Sequence, residues 1–369
     1  MKLTGVSVVI ATKGRIELLG QLLKSIDVAR RNYGGFTEVI LVDDSSEEEQ
    51  GQIDKLCRKW NARREKFSPS VSGKRNYGAS VAQYDVVLFL DSDCKASPNL
   101  IGEHVKQYVN DKVGGVAGPL EFTGKESWLW KSVKNSPFVI CFQMPYWGET
   151  SVWATTANFS VRRQVFEIIG GFDETFPNKP GGEDVDLGLR ISKAGYKIRN
   201  TKEGLVYHDK STWSDIKQMM RRCWYYGSAD VYLVERHPNY SCDTMPRKML
   251  MNLAGLLGIV ILALAGSLKY LFLLPVWVLN DWLFTSLIMM KVGFGDNDFL
   301  HQMATQLLIT ANEAGYLWRC LKKRKVNLIG RQTIFFDNQI KGVTYNGMIY
   351  TWQFVIEMLL LVMTVSIWK

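Results

Sequence analysis

Two hydrophobic periods divide this chain. Val6–Ile10, Val39–Val42 and Val86–Leu90 are short, unbroken, β-branched runs, as expected of strands buried on both faces of a parallel sheet. Between the first two, Ile16, Leu19, Leu22, Leu23 and Ile26 recur at helical spacing; Ile53, Leu56, Cys57 and Trp60 form a second amphipathic segment, and Asn76–Gln83 a third. Strands alternating with helices predict a doubly wound α/β sheet. Ser97-Pro98 reads as an N-cap followed by proline at the first helical position, so a helix is expected from there. Gly114–Phe122 turns strand-like, the tryptophan-dense stretch 126–153 resists assignment, and Asn158–Val161 reads as a strand. Arg163–Ile169 is expected as a short helix, Gly170–Glu174 as a turn, Val185–Ala194 as a helix closed by Gly195, and Tyr196–Arg199 as a strand.

Beyond Arg247-Lys248 the pattern changes. Residues 249–266 and 270–290 are almost uncharged, and 347–368 carries one internal charge, Glu357. Each is about long enough to cross a hydrocarbon core of roughly 30 Å at about 1.5 Å per residue. Buried core helices are the competing interpretation. Basic residues at Arg247-Lys248, at Lys322–Lys325 and at Arg331 favour spans, and the positive-inside rule then puts residues 1–248 and 291–346 in the cytoplasm. Residues 299–320 have apolar positions at helical spacing and are expected along the membrane interface. The expected division is a cytoplasmic domain over 1–245 and a membrane region over 246–369.

The net charge of +9 is dispersed apart from Lys322–Lys325, unlike the single basic stripe of a nucleic-acid binder; a juxtamembrane cluster facing anionic lipid fits better. Six cysteines show neither a CxxC pair nor zinc spacing, which points to a reducing compartment. Val6–Ile10 is too short for a signal-peptide core and is expected as the first strand.

Candidate chemistry sits at the ends of these elements. Asp91-Ser92-Asp93 closes the Val86–Leu90 run, where open α/β sheets bind ligands, and carboxylates there suit Mg²⁺ or Mn²⁺ shared with substrate phosphates; a polar turn is the plain alternative. Asp43 and Asp44 can accept hydrogen bonds from a nucleotide or simply make an Asx turn. Lys74 and Arg75 can approach phosphates, and Asn76 can cap a helix or touch a donor; Lys74 can equally be a solvated surface residue. Glu183-Asp184 at a helix start is favoured by the helix dipole whatever its chemistry.

Five constellations occur in order: Val8–Arg15, Val42-Asp43-Asp44-Ser45-Ser46, Lys74–Gly78, Asp91-Ser92-Asp93 and Gly181-Gly182-Glu183-Asp184-Val185-Asp186. This series resembles glycosyltransferase family 2, the inverting nucleotide-sugar transferases of GT-A fold, over about residues 5–235. The resemblance implies a GT-A (Rossmann-like, nucleotide-diphospho-sugar transferase) domain followed by C-terminal transmembrane helices. It implies donor binding by Thr12, Arg15, Asp43, Asp44, Lys74, Arg75, Asn76 and Asp91, with Asp44 the base contact. Asp93 becomes the ligand of a divalent metal (Mn²⁺ or Mg²⁺), helped by Asp91 and by His208. Asp184 becomes the general base that a sugar hydroxyl requires, and Glu183 a holder of the acceptor.

Trp153 and Asn158 fall, with Trp147, in the stretch that borders the acceptor in relatives. Gln218–Trp224 is similar to the QxxRW signature of processive synthases, but Arg222 stands where Trp is expected; this departure argues for single transfers and leaves Arg221 or Arg222 to steady the diphosphate. The expected protein is therefore a membrane-anchored transferase moving one sugar, from a UDP-sugar foremost, to a lipid-linked or cell-surface glycan. A polyprenyl-phosphate or glycolipid transferase is the nearest alternative. A sugar-phosphate nucleotidyltransferase lacks support because the GxGxR loop is missing, and an inactive membrane assembly subunit is disfavoured by the intact Asp91, Asp93 and Asp184.

Overall fold

The computed structural model describes residues 3–177, 181–213, 215–244, 247–291, 298–335 and 339–367. In chain order the first elements are β1 (Val6–Thr12), α1 (Ile16–Tyr33), β2 (Thr37–Asp43), α2 (Glu47–Trp60), β3 (Arg63–Lys66), α3 (Val71–Ser80) and β4 (Val86–Asp91). Then come β5 (Cys94–Ala96), α4 (Leu100–Lys106), β6 (Val113–Ala117), β7 (Leu120–Thr123), α5 (Trp128–Val133), α6 (Pro137–Ile140) and β8 (Thr150–Ser151). β9 (Phe159–Arg162), α7 (Arg163–Ile168), α8 (Glu183–Lys193), β10 (Lys197–Asn200), β11 (Val206–Asp209) and α9 (Ile216–Arg236) follow. The chain continues through β12 (Ser241–Asp243), α10 (Lys248–Ala265), α11 (Leu273–Lys291), α12 (Phe299–Lys322), β13 (Arg331–Thr333) and α13 (Gln339–Ile367). These elements form two compact units: Met1–Lys125 with Ile140–Thr212, and Glu126–Val139 with Trp213–Lys369.

The first unit is built on an eight-stranded sheet of order β3-β2-β1-β4-β9-β6-β10-β8. β1 runs parallel to β2 and β4, with Val8 beside Val39 on one side and Leu88 on the other. Alternate residues feed opposite cores. Val6, Val8 and Ile10 pack with Leu19, Leu22, Leu23 and Ile26 of α1, whereas Val9 packs with Ile40, Phe89, Phe166, Phe172 and Leu187. Each such side chain, fully removed from water, contributes about 1.5–3 kcal/mol. That two-sided burial is why these strands read as unbroken apolar runs. β9 enters antiparallel between β4 and β6. A small sheet, β5-β11-β7, sets His208 opposite Cys94.

Local chemistry starts and ends the helices. A reciprocal Ser46/Glu49 capping box opens α2, with Ser46 Oγ 2.9 Å and Ser46 N 3.1 Å from Glu49 Oε2. Four expectations shift. α4 begins at Leu100 after Asn99, not at Pro98: Ser97 is spent in a turn, with its N–H on Leu205 O and its C=O accepting from Leu100 N. The strand-like run 114–122 is two strands, parted at Gly118-Pro119, because proline cannot donate to a ladder. The 126–153 stretch resolves into short helical turns and the two-residue β8, and the segment expected over Asn76–Gln83 lies earlier, as α3 over Val71–Ser80.

In the second unit α9 lies along α12. A Cβ at Gly227 would stand 1.9 Å from Asn312 O, and one at Gly315 would stand 2.2 Å from Trp224 O, so two backbones meet at paired glycines. Ser228 Oγ donates to Gly315 O at 3.0 Å and Asn312 Nδ2 to Cys223 O at 3.1 Å. This packing places α9 in the second unit, which takes up the chain again from Trp213. Among the described residues two helical segments are long and apolar enough to cross a membrane, Lys248–Ala265 and Leu268–Lys291. Thr351–Ser366, within the third expected stretch, is a shorter apolar run.

Candidate active site

Three parallel strands end together. Thr12 of β1 lies beside Asp43 of β2, and Ala11 lies beside Asp91 of β4, so the sheet's carboxyl edge carries the acids that the sequence singled out. Each acid meets a cation from a distant element. Lys74 is buried on α3, donates from Nζ to Thr12 O at 2.8 Å, and pairs with Asp44, which also faces Lys13 Nζ at 3.7 Å. A solvated role for Lys74 is thereby excluded. Asp43 makes the Asx turn, accepting from Ser45 N at 3.0 Å and from Arg64 Nε at 2.9 Å. Thr12 Oγ1, among the described residues, is a buried hydroxyl with no hydrogen-bond partner at this edge.

Arg75 joins the two halves of the site. It is buried, donates from Nη2 to Asp91 Oδ1 at 2.9 Å and from Nη1 to Glu183 Oε1 at 3.0 Å, and lies 5.5 Å over the Phe172 ring. Asp91 is thus turned toward Arg75 and Glu183. Asn76 points away from the edge: its Oδ1 accepts from Phe172 N at 2.8 Å, and its Nδ2 donates to Phe172 O and Glu174 Oε1, both at 2.9 Å. It clamps the 170–174 turn, where Gly171 has φ +66° and a Cβ would stand 2.6 Å from Asn76 Oδ1. The polar atoms of the Asn76 side chain are thus engaged by Phe172 and Glu174.

Asp184, half-buried in the first turn of α8, accepts from Val185 N at 2.9 Å. Burial, then the neighbouring Glu183 charge, push its carboxyl up from 3.8 to about 7, with Arg75 pulling the other way. Cys141 lies close enough for the Asp184 charge to add to burial in raising its thiol to about 12. That places the turn Cys141–Tyr146 beside Asp184, a neighbour no local pattern announced. Asp186 pairs with Arg190, at 2.8 Å to Nε, and is structural.

The acceptor-side expectations change. Trp153 is buried behind α8, where a Cβ at Gly188 would stand 2.4 Å from Trp153 Cα. Asn158 is fully buried: Nδ2 donates to Pro119 O and Gly204 O at 2.8 Å, and Oδ1 lies 2.9 Å from His104 Nε2. Asn158 therefore ties the backbone just before β7 to that just before β11. Gly118→Ala would put a Cβ 2.3 Å from Asn158 Nδ2 and 2.5 Å from Gly204 O. It is expected to lower stability by about 1–3 kcal/mol, measurable by chemical denaturation. Arg221 and Arg222 belong to the second unit, where Arg221 Nε donates to Tyr225 OH at 3.0 Å and Arg222 lies 4.4 Å over the Trp213 ring.

Asp93, His208 and Cys94 offer ligand atoms within 4.8 Å of one another. His208 Nδ1 lies 2.8 Å from Asp209 O, a contact that requires the proton on Nδ1 and leaves the Nε2 lone pair facing Asp93 Oδ1 at 3.5 Å. Two acceptors facing each other across that gap fit a divalent cation between them. Arg15, held left-handed at φ 55° after Gly14, pairs with the other Asp93 oxygen. Carboxylate and imidazole, completed by phosphate oxygens, suit Mn²⁺ or Mg²⁺. Cys94, absent from the sequence expectations, lies beside them, its thiol pushed well above the ordinary value by burial and by the charges of Asp91 and Asp93.

Residues 7–170 match the model of glycosyl transferase family 2. The chain carries a family 2 glycosyltransferase domain. Residues 142–212 of the domain also match the model described as the N-terminal domain of galactosyltransferase. The transferase domain is 28% identical over 232 residues to the O-antigen biosynthesis protein RfbC of Myxococcus xanthus, covering 56% of this chain and 17% of that protein. It is 23% identical to the chondroitin synthase of Pasteurella multocida, covering 56% and 25%, and 25% identical to a validoxylamine A glucosyltransferase of Streptomyces hygroscopicus, covering 59% of each. The chain thus spans between 17% and 59% of the length of these curated relatives. Among solved structures, the mannosyltransferase PcManGT of Pyrobaculum calidifontis, in complex with GDP-Man and Mn²⁺, superposes with a TM-score of 0.58 at 14% identity, covering 86% of this chain and 88% of that one. The shared fold is that of the GT-A glycosyltransferases.

Proposed function

We propose that the protein is an inverting, membrane-anchored glycosyltransferase that moves one sugar from a nucleotide-diphosphate sugar, a UDP-sugar foremost, to a hydroxyl of a lipid-linked or cell-surface glycan. The observation that carries this reading is Asp184: a half-buried carboxyl with its proton affinity near neutrality, joined through Glu183 and Arg75 to Asp91 at the strand edge. A base titrating near 7 takes a proton from a sugar hydroxyl under ordinary conditions. Asp184 accepts that proton as the hydroxyl oxygen attacks the anomeric carbon from the face opposite the departing diphosphate, which inverts the centre. Glu183, held by Arg75, accepts a hydrogen bond from an acceptor hydroxyl and orients it.

On the donor side Asp44 takes the base or ribose, Thr12 Oγ1 supplies an uncommitted hydroxyl, and Lys74 and Arg15 face the diphosphate. A divalent cation held by Asp93 and His208 supplies neutralisation of the negative charge gathering on the nucleoside diphosphate. The similarity to an O-antigen biosynthesis protein and to a chondroitin synthase, together with the two apolar helices, supports a glycan acceptor presented at a membrane. The soluble domain is proposed to face the cytoplasm, with α12 along the interface.

The test is a panel of UDP-, GDP- and dTDP-sugars with the full chain, each assayed in Mn²⁺ and in EDTA, beside Asp93→Asn. One UDP-sugar is expected to turn over in Mn²⁺, and both EDTA and Asp93→Asn are expected to reduce it at least a hundredfold. Direct Mn²⁺ binding, read by electron paramagnetic resonance, is expected to weaken in parallel. Turnover that ignores EDTA, or retention of anomeric configuration, overturns the reading.

A further inference from the structure

A surface of the second unit that sugar transfer does not use carries a dense local charge. Arg319, Lys322, Lys323, Arg324 and Lys325 crowd the last turn of α12 and the residues after it. The Tyr232 ring lies under Lys323 Nζ at 3.6 Å, with Arg319 Cζ at 5.3 Å and Arg236 Cζ at 5.5 Å. Glu235 answers Lys325 at 2.8 Å and Lys323 at 3.5 Å, while Lys322 and Arg324 stand exposed. Cations held this close attract an anion from outside the chain. Exposed apolar side chains are interleaved with them: Trp318, Leu321 and Val326, the first two at i and i+3 on one helical face. Charge alone would serve an acidic protein or a nucleic acid. An exposed indole and two aliphatic groups among the cations match the boundary between headgroups and acyl chains.

The same turn is fastened to the start of a candidate membrane span. Arg247, the residue before Lys248–Ala265, donates from Nε to Ile329 O at 2.6 Å and from Nη2 to Arg331 O, and its guanidinium lies 3.9 Å over the Tyr316 ring. Tyr316 OH donates in turn to Leu328 O at 2.7 Å. The basic turn is thus tied to the end at which that span would enter the bilayer.

We propose that residues 318–326 dock on anionic phospholipid headgroups, phosphates on the cations and acyl chains against Trp318, Leu321 and Val326. The proposal rests on reading Lys248–Ala265 as a membrane span. It is tested by titrating the full chain, in nonionic detergent micelles, with short-chain phosphatidylglycerol and with phosphatidylcholine, and counting retained lipids by native mass spectrometry. Phosphatidylglycerol is expected to be held at least tenfold more tightly, less so as salt rises. The triple variant K322Q/R324Q/K325Q is expected to lose on the order of 100-fold, given the attraction per basic residue at an anionic surface. Trp318→Ala is expected to weaken both lipids alike.

Equal retention of the two lipids, or an unchanged triple variant, overturns the proposal. So does complete displacement of phosphatidylglycerol by millimolar inorganic phosphate or by an oligonucleotide, either of which would mark a soluble-anion site. An alkaline wash of membranes separates the two readings. A chain that is released yet still prefers phosphatidylglycerol loses the span and keeps the surface; a chain that stays without preference does the reverse.

Discussion

Asp184→Asn is expected to lower kcat by about 10²–10⁴-fold, the span attributed to a positioned general base, with little change in donor affinity. The amide keeps the size and the hydrogen bond geometry of the carboxyl but cannot accept the acceptor's proton. In the wild type, kcat/KM is expected to fall about tenfold per pH unit below about 7, where Asp184 takes up its proton, and to level off above it. The same residue costs stability. Its folded pKa, raised from 3.8 to about 7, means that the folded state holds the proton more tightly than the unfolded chain does. Stability contributed by the protonated form is therefore present below about pH 4 and is lost as pH rises to about 7. Asp184→Asn should melt higher than wild type at pH 8, and the gain should shrink at pH 5. Thermal unfolding at the two pH values checks the sign. A variant that is inactive and less stable at pH 8 would argue that Asp184 is structural.

Arg75→Met is expected to be the most damaging single change for folding. Arg75 is buried between Asp91 and Glu183, at 2.9 and 3.0 Å, and removing it leaves carboxylates facing one another without a counter-charge. Breaking a buried ion pair from one side costs about 3–5 kcal/mol, which lowers the melting temperature by roughly 10 °C in a domain of this size. Arg75 also holds the Asp184 pKa down. Whatever folded Arg75→Met survives should therefore show its acid limb moved above 7, a displacement that a purely structural defect would not produce. Arg75→Lys, which brings one charge but not the fork that spans two acids, should recover part of the stability and leave kcat depressed. An unmoved acid limb in both variants would separate Arg75 from the base.

What could be read from the sequence was the part encoded locally. The parallel strands announced themselves because both faces are buried, and the acids at Asp43, Asp91 and Asp184 sit at strand or helix ends that neighbouring residues define. The pairings were not legible. Arg15 reaches Asp93, and Arg75 reaches Glu183, across 78 and 108 residues, and nothing in the intervening pattern encodes the meeting. Asn158 shows the opposite case: a polar residue in an aromatic stretch reads as ligand-facing, yet two of its side-chain hydrogen bonds hold backbone at Pro119 and Gly204 and the third meets the buried His104 ring. Cys94 has no second cysteine at metal spacing to mark it in the sequence, yet its antiparallel register with His208 brings it to the same place. Ser97-Pro98 obeys the rules of helix starts, yet Ser97 Oγ makes no cap bond and the helix begins at Leu100.

The antiparallel β9 has a consequence for how this sheet is made. β3, β2, β1 and β4 are contributed by residues 6–91, and their pairings are complete once that stretch has emerged. The other half of the sheet cannot join β4 until Phe159–Arg162 has been synthesised, some seventy residues later by the numbering. During that interval β4 presents a free apolar edge, the kind of surface on which nascent chains associate wrongly. Assembly on the ribosome would therefore finish the half that carries Asp43 and Asp91 first and leave it waiting for one four-residue strand. Substitutions within Phe159–Arg162 would then be felt as lost yield of folded protein well before they were felt as lost rate.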